Sequence, residues 1–315
     1  MTARVVTLEL NHTGDMRRIT MEDRESKNTM AFNDLLFATD FSAASDAALE
    51  YATSITKRYD AQLYVVHVID LGLFGLRFSG SSSSSIKQAH EQARQKIGCM
   101  LATRGIPSEQ YHIVVTDGVL PDALIDIMRQ HQIDLAVLGT QGRRAFKKLL
   151  LGSVAEEVFR TAPCAVLNVG PNTAPADPGV ELRHILYPVE FAPDPSDAAK
   201  YAVSIAERYR GKLTLMNVIE DVPTSANQRE DFPVPVESWI EEHISKGSTL
   251  RSRLDFERGS GSVAEAVLNY ATTAGVNLIV LGIQALDPVI AGRLPRSDTA
   301  YEIVSRAPCP VLTIR

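Results

Sequence analysis

The sequence predicts an α/β protein built from two tandem domains, each a five-stranded, mainly parallel sheet flanked by helices. Three observations carry that reading. The 315-residue chain repeats its own order of residues. Its apolar runs do not alternate with polar residues and are separated by segments of helical period, the pattern of strands covered on both faces. Its glycines gather where a strand ends and a helix begins: Gly139-Thr140-Gln141-Gly142, nine residues, then Gly152-Ser153.

The repeat is read directly. Residues 34–70 and 184–220 align without a gap. Leu35-Leu36-Phe37-Ala38-Thr39-Asp40-Phe41 matches Ile185-Leu186-Tyr187-Pro188-Val189-Glu190-Phe191, and Tyr51-Ala52 matches Tyr201-Ala202. The dipeptide Arg58-Tyr59 returns as Arg208-Tyr209. Farther on, Asp134-Leu135-Ala136-Val137-Leu138-Gly139 matches Asn277-Leu278-Ile279-Val280-Leu281-Gly282. Both copies close on Ala-Pro-Cys, at Ala162 and at Ala307, ahead of an apolar run. The period is too long for a solenoid and fits a duplicated domain of ordinary size.

In copy one the strands fall at 35–38, 63–68, 113–115, 135–138 and 165–169. The helix after Asp40 places Ala48, Tyr51, Ala52 and Ile55 on one face. Ser79-Gly80-Ser81-Ser82-Ser83-Ser84-Ser85 reads as a low-complexity, mobile stretch before a polar helix over about 86–104. Its counterpart in copy two, 221–235, is Pro-rich and reads as irregular. Residues 170–179 have the composition of a linker. The stretch through Met30 has no match in copy two and reads as a tail or an added arm.

In parallel sheets ligands bind beyond the carboxyl ends of the strands, where strand order reverses. Asp40, Val68, Gly118 and the loop from Gly139 to Ser153 all follow strand ends and are expected at one mouth. Glycine lets backbone approach a phosphate, and a helix start offers unpaired N–H groups. The Walker pattern is absent. A structural reading stands beside this one: Ser153 as helix N-cap with Glu156 three residues on, a capping box. Arg143, Arg144, Lys147 and Lys148 inside the loop read either as a solvated face or as countercharge for an anion.

A formal charge of −6 argues against nucleic acid as a main partner. No apolar run reaches membrane-spanning length. Cys99, Cys164 and Cys309 form no metal pattern; the last two occupy equivalent positions and read as buried structural thiols. With no signal peptide recognised, a reducing cytoplasm is the expected location.

Asp40 after the first strand, Gly139-x2-Gly142-x9-Gly152-Ser153, and Ala-Pro-Cys before the last strand together resemble the universal stress protein family, of the UspA type. The resemblance covers about 32–169 and 183–315. It implies two Rossmann-like (adenine nucleotide alpha hydrolase-like) domains at 32–170 and 183–315, an N-terminal extension at 1–31 and a linker at 171–182. By the same resemblance Asp40 and Val68 face a nucleoside, while Gly139, Gly142, Gly152, Ser153 and Val154 hold ribose and phosphates. Ala38 stands where binders often carry a small residue or proline, Gly118 opens the loop bordering the pocket, and Arg143 is the neighbouring cation. The implied ligand is ATP, with Mg or Mn as companion, or else AMP or ADP. The implied assembly is an intramolecular pseudo-dimer pairing the last strands, 166–169 with 311–314, with a homodimer of chains as a further step.

Copy two departs at the chemistry. Ala285 replaces the second glycine, Ser297-Asp298 replaces Gly152-Ser153, Glu190 replaces Asp40, and the loop is two residues longer. It is expected to be a structural partner with a degenerate site. The functional expectation is a cytoplasmic, ATP-binding stress-response module for signalling or interaction. The alternatives are a slow ATPase or phosphoryl-transfer enzyme, and a scaffold that binds no nucleotide. No catalytic residue is assigned: His67 reads as a structural histidine, and Ser42 and Ser45 as helix caps.

Overall fold

The computed structural model describes residues 7–10, 16–19, 30–69, 83–140, 152–173, 179–189, 197–219, 235–283 and 299–315. The chain forms two compact units, Met1–Ala31 and Phe32–Arg315. In the first, β1 (Thr7–Leu10) pairs antiparallel with β2 (Met16–Ile19), so the N-terminal arm contains a two-stranded ribbon.

In the second unit copy one runs β3 (Asp34–Ala38), α1 (Ala43–Tyr59), β4 (Gln62–Ile69), α2 (Ser83–Ala102), β5 (Tyr111–Asp117), α3 (Leu120–Gln130), β6 (Leu135–Gly139), α4 (Ser153–Thr161) and β7 (Ala165–Val169). Copy two repeats the order as β8 (His184–Pro188), α5 (Ala198–Arg208), β9 (Lys212–Ile219), α6 (Pro235–His243), β10 (Leu254–Ser260), α7 (Val263–Thr273), β11 (Leu278–Gly282), α8 (Thr299–Arg306) and β12 (Val311–Ile314). All strands of the second unit join one ten-stranded sheet, ordered β10-β9-β8-β11-β12-β7-β6-β3-β4-β5. Within each copy every pairing is parallel. Among the described residues of this sheet, the one antiparallel pairing joins the copies, β12 to β7, with Leu312 opposite Leu167.

The elements form for the reasons the pattern gave. Ala48, Tyr51, Ala52 and Ile55 are buried on one face of α1. Ser42 caps that helix, its hydroxyl accepting from Ser45 N at 3.2 Å. Two expectations need correction. Ser83 to Ser85 are the first residues of α2, not part of a mobile stretch: the helix runs on to bury Ala93, Ile97 and Leu101, and that packing outweighs the weak propensity of three serines. Likewise Pro235 opens α6, at the first position where its missing N–H costs nothing; the rest of the 221–235 stretch, with 79–82 and 174–178, lies outside the described residues.

One apolar core runs across both copies on the face covered by α1, α2, α5 and α6, and it includes Leu167 and Leu312. On the other face α3 packs over copy one, and Ala155 and Phe159 of α4 join the core under α7 and α8. The repeated Arg-Tyr dipeptide acquires a purpose here. Arg58 lies 4.6 Å over the Tyr209 ring, and Arg208 lies 5.1 Å over the Tyr59 ring. Arg208 also donates to Arg58 O at 2.6 Å. Each copy thus grips the other's tyrosine beside a small apolar cavity of about 10 Å³, room for about one water. Burial pushes the Tyr209 phenol up to about 12 and Tyr59 higher still, so both stay protonated at neutral pH.

Buried Asn168 adds a polar marker to the seam: its Nδ2 donates to Val311 O at 3.3 Å and Thr313 Oγ1 at 3.4 Å. A one-residue slip would point these side chains into the opposite, apolar layer. Since Leu312 is 1 % exposed, Leu312→Ala is expected to cost about 2–5 kcal/mol in urea unfolding, with both copies still unfolding in one transition. Two separated transitions in the parent chain, or an unchanged midpoint, would contradict a shared core.

Candidate functional site

In copy one the chain passes from β3 to β4 and β5 on one side, then crosses to β6 and β7 on the other. The order therefore reverses between β3 and β6, and a crevice opens beyond their carboxyl ends. Ala38 is the last residue of β3 and half-buried. Thr39 N donates to Val66 O at 2.9 Å, and Thr39 Oγ1 accepts from Phe41 N at 3.0 Å. Asp40 then turns the chain, its carboxylate accepting from Ser42 N at 3.0 Å. The turn forces Phe41 to a φ of 59°. Phe41 is held there by His67, with ring centroids 4.5 Å apart, and by Lys96 4.1 Å over its ring.

His67 makes a hydrogen bond that ties the end of its strand to the turn after β3. Its Nδ1 lies 2.8 Å from Thr39 O, and a carbonyl only accepts, so the proton is on Nδ1. Copy two makes the same bond with Asn217 Nδ2 and Val189 O at 3.0 Å. Histidine and asparagine are interchangeable here because the strand end needs only an N–H.

Val68 is buried, its side chain in the core with Leu36 and Val66. Its backbone is the informative part. Val66 O faces β3, where Thr39 N meets it, and Ile69 O faces β5, where Gly118 N meets it at 3.3 Å. The peptide groups of β4 alternate between these sides. Val68 therefore turns its N–H and C=O toward the side that β3 has already left. Gly118 has a φ of 141°, which favours glycine, and leads into exposed Val119.

The glycine loop is pinned at its base. Thr140 N donates to Val169 O at 3.0 Å, and Thr140 O accepts from Gly152 N at 2.8 Å. Gly142 and Arg143 lie outside the described residues, as do Arg144, Lys147 and Lys148. The capping-box expectation is corrected: Gly152 is the N-cap, extended at φ −62° and ψ 147°, and Ser153 is already the first helical residue. Gly152 O accepts from Glu156 N at 2.9 Å. Helix geometry leaves the N–H groups of Ser153, Val154 and Ala155 without an intrahelical acceptor. The half-buried Val154 packs on the copy-one core and anchors this end.

Gly139 ends β6, but the structure gives its glycine a packing reason. A Cβ there would stand 2.7 Å from Ala44 O, at the start of α1. The start of α1 thus lies close against the end of β6 because residue 139 has no side chain.

Other chemistry is weaker. Burial pushes the Cys164 and Cys309 thiols up to about 12, so neither is a ready nucleophile; Cys99 is exposed. An open cleft between α3 and α4 is lined by Asp122, Asp126 and Glu157 with Arg129 the one cation, which suits no phosphate. Among the described residues no group of three or more His, Cys, Asp or Glu side chains is placed to hold a metal ion, and no helix is long and apolar enough to cross a membrane.

Comparison with known proteins gives the same picture. The universal stress protein family matches at residues 31–170 and again at 181–315. A universal stress protein of Methanocaldococcus jannaschii is 32 % identical over 142 residues, covering 44 % of this chain and 82 % of its own length. A homolog of universal stress protein A from Coxiella burnetii is 33 % identical over 143 residues, covering 44 % and 97 %. The crystal structure of a universal stress protein from Archaeoglobus fulgidus superposes with a TM-score of 0.69 at 20 % identity, covering 90 % of this chain and 98 % of that one, and so shows the shared fold.

Two outcomes follow from this geometry. Gly139→Ala should lower stability by about 1–3 kcal/mol, read by urea unfolding without any ligand; an unchanged midpoint would mean that α1 does not need the bare backbone. With a maleimide at pH 8, the native chain should show one fast thiol, Cys99. Fast labelling of all three cysteines would contradict the buried setting of Cys309 and the raised thiol of half-buried Cys164.

Proposed function

Because the chain belongs to the universal stress protein family, we propose that copy one binds an adenine nucleotide, ATP, and acts as a nucleotide-dependent module for signalling or interaction in the stress response of the cytoplasm. The observation that carries this is the placing, at the carboxyl end of the copy-one sheet, of backbone polar groups that no strand or helix among the described residues uses. Val68 turns a donor and an acceptor toward the gap beyond β3, which suits the edge of a base. The start of α4 brings three N–H groups and the positive end of its dipole, which suit phosphate.

In this reading Ala38, Asp40 and Val68 meet the nucleoside. Gly118 borders it, and Gly139, Gly142, Gly152, Ser153 and Val154 meet ribose and phosphates, with Arg143 as countercharge. Mg or Mn would arrive with the nucleotide, held chiefly by its phosphates. Gly152 spends its own N–H on Thr140 O, so its contribution is room: a side chain there would stand at the mouth of the helix start. Copy two replaces these groups with Ser297 and Asp298. An ionised Asp298 accepts hydrogen bonds and cannot donate them, and its charge opposes a phosphate. Copy two is therefore read as the structural partner.

Isothermal titration of the full chain with ATP and Mg should give one site per chain. Gly152→Asp, checked for its fold by circular dichroism, should weaken it by at least a hundredfold. Two equivalent sites, or undiminished affinity in the folded variant, would overturn the assignment. Phosphate release per bound ATP, followed in the same samples, decides between a binding module and an ATPase.

A further inference from the structure

The mouth of copy two carries a feature that copy one lacks. Because β12 runs antiparallel to β7, the carboxyl end of β12 lies beside the amino end of β7. Continuing the register places Arg315 opposite Cys164. Helix α4 descends copy one to Thr161 and delivers Arg160 just ahead of that same point. Ile283, the first residue after β11, donates its N–H to Ile314 O at 2.7 Å, which fixes the turn after Gly282 next to Arg315. A copy-one arginine and the residue after β12 thus meet at the ligand end of the copy-two sheet.

Each guanidinium group has one buried nitrogen without an acceptor. The Arg160 side chain is 11 % exposed, and its Nη1 is buried with no hydrogen-bond partner. Its other contact is long, Nη2 to Glu156 Oε1 at 3.5 Å. Arg315 Nε is likewise buried and unpartnered. Burial and the nearby Arg160 charge both lower the proton affinity of Arg315. Desolvated cationic donors without acceptors are costly, and two beside one another more so. At the copy-one mouth the equivalent positions are Ser305 of copy two, which donates to Tyr301 O at 2.8 Å, and Gly170 of copy one. At these two positions the mouths have therefore diverged by two positive charges, and it is copy two whose loop sequence has lost the glycine pattern.

We propose that the mouth of copy two binds a small oxyanion between Arg160 and Arg315. The planar guanidinium fork matches such an anion, and an acceptor there satisfies both orphaned donors at once. Because Arg160 belongs to copy one and Arg315 to copy two, the bound anion also ties the copies together. The inference is independent of nucleotide binding in copy one.

The test uses the full chain carrying Gly152→Asp, so that phosphate at the copy-one loop does not interfere. Inorganic phosphate is titrated at constant ionic strength, with chloride making up the difference, and thermal midpoint and heat of binding are followed. Saturable stabilisation is expected, with the phosphate Kd raised at least tenfold by Arg160→Gln and likewise by Arg315→Gln. Arg306→Gln, at an exposed ion pair with Glu302, should leave it unchanged. Should Arg160→Gln fail to fold, the half-buried Arg315 provides the deciding variant. Phosphate acting no better than chloride, or unaltered Kd in the two arginine variants, would overturn the proposal.

Discussion

The antiparallel pairing of β7 with β12 is the constraint on which the rest of the second unit depends. Each copy alone would end on an apolar edge strand, Val166 and Leu167 in one and Val311 and Leu312 in the other. Paired, they hide both edges and leave β5 and β10 at the ends of the sheet. The pairing also decides what faces what. Leu167 and Leu312 enter the core under α1 and α5, while Asn168 and Thr313 mark the register on the opposite layer.

One consequence is that the copies are not independent bodies with a linker between them. Arg58 and Arg208 each cover the other copy's tyrosine, and α4 of copy one packs by Ala155 and Phe159 against α8 of copy two. The start of α4 lies at the copy-one mouth and its end at the copy-two mouth. A ligand at either mouth therefore touches an element that belongs to both. Duplication supplied two equivalent mouths, and the shared seam let their chemistry diverge without loss of the core.

Much of this was legible in the sequence because it depends on apolar period and repeat alone. The five strands of copy one and the buried face of α1 follow from spacing, and His67 and Asn217 could be matched before their common bond was visible. Three features could not be read. Ser83 to Ser85 look like a mobile tract, since nothing local shows that α2 will bury Ile97 and Leu101. Ser153 looks like an N-cap, yet Gly152 takes that place, extended and with its N–H bound to Thr140 O. Gly139 reads as a ligand glycine, and the sequence gives no sign of its second constraint, that a Cβ there would meet the backbone of Ala44, ninety-five residues away. All three depend on long-range packing, which local pattern does not encode. The same holds for Arg160 and Arg315, whose meeting follows only from the direction in which β12 pairs.

The division of labour between the two mouths is open to amide hydrogen exchange of the full chain, followed by mass spectrometry with and without ATP. The expected result is slowed exchange in copy one alone, at residues 153–155 and at the end of β4 around Val68, with residues 299–301 of copy two unchanged. Equal slowing at both helix starts, or none in copy one, would contradict a single nucleotide site built on the β3–β6 gap.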